Sequence, residues 1–138
     1  MPEASITLSD LLTSVAYTLP STASPDDRSV RQALMLAVRA ATATADGAAA
    51  EDWASYAGAV QHAVQALQAD PGDILALTHS APAAGPDSLE LRQAASELVK
   101  RLADLYATAA AAAFDSSTRR TIWSRVAHYL DDAAAELA

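Results

Sequence analysis

The chain contains no cysteine among its 138 residues, which excludes disulfide bonds, thiolate zinc sites and thiol nucleophiles. A metal site would have to use oxygen and imidazole ligands, and the composition fits a reducing compartment. The three histidines, at positions 62, 79 and 128, have no second histidine three or four residues away. The four glycines form neither a phosphate loop nor a dinucleotide-binding fingerprint. We therefore expect no cofactor.

Positive charge is also scarce, because nine Lys and Arg residues are set against 17 Asp and Glu residues, giving a formal net charge of −8. An acidic chain has no general attraction to nucleic acid phosphates or to an anionic membrane, so we expect neither as a direct partner. No apolar run approaches the roughly 20 residues of a membrane span, and the first residues lack the basic region of a signal peptide. We expect one cytoplasmic domain spanning residues 1–138.

Alanine is abundant, at about a quarter of the chain, whereas aromatic residues contribute only 5%. Alanine buries little apolar area, so a core built from it has a modest margin of stability that self-association would supplement. The alanine excess and the use of arginine for almost every basic residue are typical of a GC-rich bacterial genome.

Apolar residues recur at helical spacing in five segments, and no segment alternates as a strand does. Capping residues and turn signals predict helices that begin near residues 7–9, 25, 49, 88 and 117. The second helix is expected to start at Ser24-Pro25 and to end near Asp46-Gly47, and residues 73–78 to form one or two helical turns. The pattern predicts an all-α bundle of about five helices.

A weak internal repeat suggests how these helices are arranged. Residues 25–33 recur at 86–94 with Pro, Asp, Arg, Gln and Ala in place, and residues 53–67 are echoed by 123–137. The repeat predicts two related hairpins, at about 25–69 and 87–137, joined by a crossover at about 70–86. The short first helix would pack across both.

One local set of possible metal ligands occurs in the last helix. His128, Asp131 and Asp132 have spacings that bring their side chains onto neighbouring helical surface. The alternative is an ordinary solvated face, which is the interpretation we favour, and we therefore assign no metal site.

Two arginine clusters are candidates for binding an anion. A cluster on one side of a helix can grip a carboxylate or phosphate, or it can pair with the surplus acids of neighbouring helices. Arginines in the first turn of a helix oppose its dipole, so those of the last helix are expected to have partners elsewhere. The clusters are Arg28, Arg31 and Arg39, with Met35 among them, and Arg119, Arg120 and Arg125.

The aromatic residues allow two interpretations. Trp53 and Trp123 each begin an apolar stripe, so burial where the two hairpins meet is the simpler one. The alternative is a ligand cavity between helices, into which tyrosines supply hydroxyl groups. The side chains that would line such a cavity are Trp53, Tyr56, Tyr106, Trp123 and Tyr129.

These observations favour a non-catalytic helical module that binds another protein or regulates one, and that self-associates as a homodimer. Small side chains let helices approach closely, so an alanine-rich face is expected at the interface between copies. The predicted interface residues are Ala109, Ala110, Ala111 and Ala113. The alternative function is a small-molecule-binding bundle with an apolar pocket lined by Trp and Tyr.

Overall fold

The computed structural model describes residues 7–19, 24–67 and 88–138, and every regular element in these ranges is a helix. The all-α prediction is therefore confirmed for the described part of the chain. The expected crossover at about 70–86, including the helical turns at 73–78, lies outside the described residues. The helices are α1 (Leu8–Thr18), α2 (Arg28–Ala40), α3 (Ala48–Ala66), α4 (Leu89–Ala112) and α5 (Ser117–Leu137).

Hydroxyl caps begin three of the helices, because the first N–H groups of a helix have no partner within it. The Thr7 hydroxyl accepts from the amide of Asp10, and the Ser88 hydroxyl accepts from that of Leu91. The Ser116 hydroxyl accepts from the amide of Arg119. The starts of α1, α4 and α5 thus follow the sequence prediction.

Both ends of α2 differ from the prediction. Ser24 and Pro25 belong to a turn before the helix. The Asp27 carboxylate accepts a hydrogen bond from the amide of Ser24, and the Asp27 amide donates to the Ser24 carbonyl. The helix begins at Arg28 and ends at Ala40, several residues before Asp46-Gly47. After Ala40 the backbone N–H groups bond to carbonyls three residues earlier in the chain, so the last turn is tighter than an α-helix. The Thr42 hydroxyl donates to the carbonyl of Arg39 at 2.7 Å.

Helix α4 occupies the centre of the arrangement and contacts α1, α2 and α5. Its most extensive contact is with α5, to which a short turn connects it, and the Ser96 hydroxyl of α4 donates to the carbonyl of Ala134 in α5. Helix α3 packs mainly against α5 and shares a smaller contact with α2. The two predicted hairpins therefore differ in how closely their helices pack.

The core consists of apolar side chains from all five helices, with alanine at many of the buried positions of α2, α4 and α5. A half-exposed ion pair adds a polar link, since the Arg92 guanidinium of α4 lies 2.9 Å from the Asp52 carboxylate of α3. Within the described ranges, no helix is long and apolar enough to cross a membrane.

Candidate functional site

Two tyrosines are buried to the same degree in this core but differ in what their hydroxyl groups contact. Tyr56 is fully buried, and its hydroxyl donates to the carbonyl of Ala37 at 2.6 Å. That carbonyl is one of the last four of α2, which lack a partner within their own helix. Tyr106 is only 1% exposed, and its hydroxyl makes no hydrogen bond with any described residue. Burial raises the pKa of both groups.

Tyr106 lines a cavity of about 210 Å³ between α2, α4 and α5, here called the Trp123 cavity. Apolar side chains from α2 and α5 form much of its wall, and the indole of Trp123 is half-buried there. Three charged side chains also reach it. Its lining in the described part of the chain is Pro25, Asp26, Arg31, Leu34, Met35, Leu67, Tyr106, Arg119, Ile122 and Trp123.

The charges in the Trp123 cavity are close to the Tyr106 hydroxyl. After burial, the further influences on the pKa of Tyr106 are Arg31, which lowers it, and Asp26, which raises it. Arg31 and Asp26 form a loose ion pair at 4.0 Å, and the Arg119 guanidinium lies 5.7 Å from the centre of the Trp123 ring. Two guanidinium groups and one carboxylate give the described lining of the cavity a net positive charge on a chain that is acidic overall.

A second, more open groove of about 380 Å³ adjoins the cavity and is here called the Ala112 groove. Pro25, Arg119 and Trp123 line both, so the two share a wall. Phe114 follows the end of α4 between Ala113 and Asp115, two residues of the groove lining, and is 84% exposed. The remaining lining of the groove is Ser24, Leu105, Thr108, Ala109, Ala112, Ala113 and Asp115.

The structure distributes the five predicted aromatic residues over three places. Tyr106 and Trp123 meet in the Trp123 cavity. Trp53 and Tyr56 pack edge to face, with ring centres 5.4 Å apart, and neither is among the described lining of that cavity. Tyr129 is half-buried, with its ring centre 5.3 Å from that of His62.

The four predicted interface alanines divide between the interior and the surface of the chain. Ala110 and Ala113 are 3% and 6% exposed, so they have little surface to offer a second chain. Ala109 is half-buried and Ala111 is exposed. The accessible small-residue surface at this end of α4 therefore consists of Ala109, Ala111 and Ala112.

The histidine and arginine clusters are resolved into separate contacts. His128 lies 3.5 Å from Asp132 on an exposed face, and no described group of three His, Asp or Glu side chains could hold a metal ion. Arg120 donates to the carbonyl of Ala113 at the end of α4, which supplies a partner away from the first turn of α5. This contact also places a positive charge at the negative end of the α4 dipole.

A third concavity, a polar groove of about 380 Å³, lies between α1 and α4. Three of its charged and aromatic side chains already contact one another. The Arg101 side chain lies 2.9 Å from the Glu97 carboxylate and 5.5 Å from the centre of the Tyr17 ring.

Sequence reasoning found some residues of the Trp123 cavity and missed others. Arg31 and Met35 were singled out together as a possible anion grip, and both line the cavity. Leu34 and Ile122 were not among the predicted site residues, because a helical stripe of apolar residues does not reveal where neighbouring helices leave a gap. Phe114 was not among them either, because a single aromatic residue in a turn carries no signal of exposure.

Comparison with protein-family models, curated proteins and solved structures found no match to this chain.

Proposed function

We propose that this protein is a non-catalytic protein-binding module that self-associates through the end of the bundle at the turn between α4 and α5. The observation that carries the proposal is an 84% exposed Phe114 next to the Ala112 groove. A contiguous exposed apolar surface, unlike a single exposed apolar side chain, often marks a site where one protein binds another. The exposed side chain and the groove together make a surface suited to a second copy.

The arrangement of this surface favours a closed dimer. A two-fold interface requires that each copy contribute the same patch, so that a projecting group of one enters a groove of the other and the reverse. Phe114 and the groove lie side by side, which meets that requirement. Asp115 and Arg119 both line the groove, so each copy brings charges of both signs to this surface.

The expected affinity is modest. Burying one phenylalanine side chain contributes about 1.5 to 3 kcal/mol. Association costs about 4 to 15 kcal/mol in lost freedom, which two such side chains, at about 3 to 6 kcal/mol together, offset only in part, so further contacts along the groove have to supply the rest. We expect a dimer with a dissociation constant in the micromolar range or weaker.

Sedimentation equilibrium tests this proposal. The unmodified protein is expected to approach the mass of a dimer as its concentration rises, and Phe114→Ser to remain a monomer over the same range. Leu89→Ser is the matched control, because Leu89 is also an exposed apolar residue, 70% exposed, at the opposite end of the 24-residue α4. A monomer at every concentration, or a dimer that both variants leave unchanged, would contradict the proposal.

A second candidate function is the binding of a small molecule in the Trp123 cavity. The lining of this cavity favours it, since ligand pockets combine apolar walls with a few polar groups, here the Tyr106 side chain and the guanidinium groups of Arg31 and Arg119. Native mass spectrometry of untagged protein tests the candidate directly. Added mass that stays with the folded protein and leaves on denaturation supports it, whereas loss of that mass in Phe114→Ser but not in Trp123→Phe would assign it to the dimer surface.

A further inference from the structure

The Tyr106 hydroxyl gives the Trp123 cavity a hydrogen-bond donor in an apolar setting. Tyr106 is 1% exposed, and no described residue accepts its proton. Tyr56 shows the usual outcome at equal burial, because its hydroxyl is bonded to the carbonyl of Ala37. No buried side-chain nitrogen or oxygen of the described residues lacks a hydrogen-bond partner, so the Tyr106 hydroxyl reaches accessible space, where water or a ligand in the cavity can accept its proton.

The charges of the cavity select the kind of group that would meet this hydroxyl. Arg31 and Arg119 bring two guanidinium groups, and Asp26 brings one carboxylate. A guanidinium carries five N–H donors in a planar fork, so Arg31 can hold Asp26 and other partners and still donate to an anion. A carboxylate can accept hydrogen bonds from Tyr106 and Arg31 together, whereas an amine would face hydrogen-bond donors and positive charge.

The size of the cavity limits the rest of the ligand. A dry cavity of about 150 Å³ accepts benzene, and pockets for drug-sized ligands measure about 300 to 1,000 Å³. At about 210 Å³ the Trp123 cavity has room for one ring and a small substituent. Its apolar walls, which include Met35, Ile122 and the Trp123 indole, suit such a ring.

We infer that the Trp123 cavity binds a small carboxylic acid whose apolar body is about one ring, with the carboxylate between Tyr106 and Arg31 and the ring against Trp123. This inference rests on the second candidate function and adds the chemical class of the ligand. The acid can be a free metabolite or the carboxyl terminus of another chain that ends in an apolar residue.

Calorimetric titration with benzoate, benzyl alcohol and benzylamine tests the inference. Benzoate is expected to bind more tightly than the other two. Tyr106→Phe keeps the ring and removes only the donor, and a hydrogen bond to a charged group makes a difference of about tenfold to hundredfold in affinity, so benzoate should weaken by that factor. Arg31→Gln should weaken benzoate and leave benzyl alcohol unchanged.

Tyr56→Phe is the matched control, because it removes an equally buried hydroxyl outside the described lining of the cavity. It should leave the affinity for benzoate unchanged. A short peptide ending in phenylalanine, compared with its amide, distinguishes a chain terminus from a free acid. If it binds more tightly than benzoate and its amide does not, the source is a protein terminus.

Three results would overturn the inference. They are equal binding of benzoate and benzylamine, no benzoate binding at low-millimolar concentrations, and benzoate binding that Tyr106→Phe and Arg31→Gln leave unchanged. None of these three results determines whether the folded protein retains added mass in native mass spectrometry. Failure of the carboxylate inference is therefore distinguishable from failure of the small-molecule candidate, and neither depends on Phe114.

Discussion

The two buried tyrosines differ in what the loss of a hydroxyl costs the fold. Tyr56→Phe leaves the Ala37 carbonyl buried without its partner, so we expect the free energy of unfolding to fall by about 1 to 3 kcal/mol. Tyr106→Phe removes a hydroxyl that bonds to no described residue, so we expect a smaller loss, because no protein partner is left unsatisfied. Urea denaturation of the two variants measures the difference. Equal losses would show that Tyr106 has a structural partner.

The same two residues predict instability at alkaline pH. Burial raises the pKa of Tyr56 and Tyr106 in the folded protein, whereas in the unfolded chain tyrosine ionises near pH 10. Above about pH 10 the unfolded state binds fewer protons than the folded state, so stability falls as pH rises, by up to about 1.4 kcal/mol per pH unit for each tyrosine.

Urea midpoints measured from neutral pH to above pH 10 check this alkaline loss. Tyr56→Phe should make the decline shallower, since one of the two contributions is gone. A decline of the same steepness in the variant would mean that other groups cause it.

At the level of single residues, the sequence indicated candidate side chains but not how they are grouped. Arg31 and Met35 belonged to a cluster that could bind an anion or pair with neighbouring acids, Tyr106 and Trp123 were possible pocket walls, and these four line one cavity. Trp53 has the same place in its helical stripe as Trp123, yet it is 3% exposed and packs on Tyr56. Which of two equivalent indoles faces a gap depends on the packing of distant helices, which periodicity does not contain.

Helix starts were predicted well where a hydroxyl caps the next turn and poorly where a competing local bond was available. Ser88 and Ser116 cap α4 and α5 as their sequences indicate. Ser24 has the same signature followed by Pro25, but the Asp27 carboxylate bonds to its amide and delays the helix. In both cases the hydrogen bonds join residues close in sequence, and the sequence alone does not show which bond is the more stable.

The caps of the α4 and α5 hairpin give a prediction at this scale. Ser88→Ala and Ser116→Ala each remove an acceptor for an amide of the first turn, so we expect each to lower the free energy of unfolding by about 1 kcal/mol. Ser117→Ala is the control, because Ser117 is exposed and follows the cap, and it should change stability by less than about 0.5 kcal/mol. Thermal or urea unfolding makes the comparison. Equal effects at Ser116 and Ser117 would contradict the capping role.

Arg120 shows how a residue unfavourable in its own helix can serve its neighbour. Its charge opposes the dipole at the start of α5, and sequence reasoning inferred a partner elsewhere without identifying it. The partner is the carbonyl of Ala113, at the end of α4. That contact exists only because the turn of residues 113–116 brings the two helix ends together, so it follows from the tertiary structure.

For the whole molecule, an alanine-rich core and an exposed apolar end have a common consequence. Alanine at many core positions contributes little burial per residue, so a single copy gains modest stability from its interior. Association that buries Phe114 would add to it, because any partner that binds only the folded state shifts the unfolding equilibrium. The melting temperature of the protein should therefore rise with its concentration.

Calorimetric or circular-dichroism melts over a hundredfold range of concentration test this coupling. The unmodified protein and Leu89→Ser are expected to melt at higher temperature as concentration increases, and Phe114→Ser to melt at one temperature throughout. At the lowest concentration, where every form is monomeric, Phe114→Ser should match the unmodified protein, because an 84% exposed side chain contributes little to the fold of its own chain. A melting temperature that does not change with concentration in any of the three proteins would show that Phe114 does not drive self-association. A lower melting temperature for Phe114→Ser at every concentration would show that Phe114 stabilises the fold of its own chain.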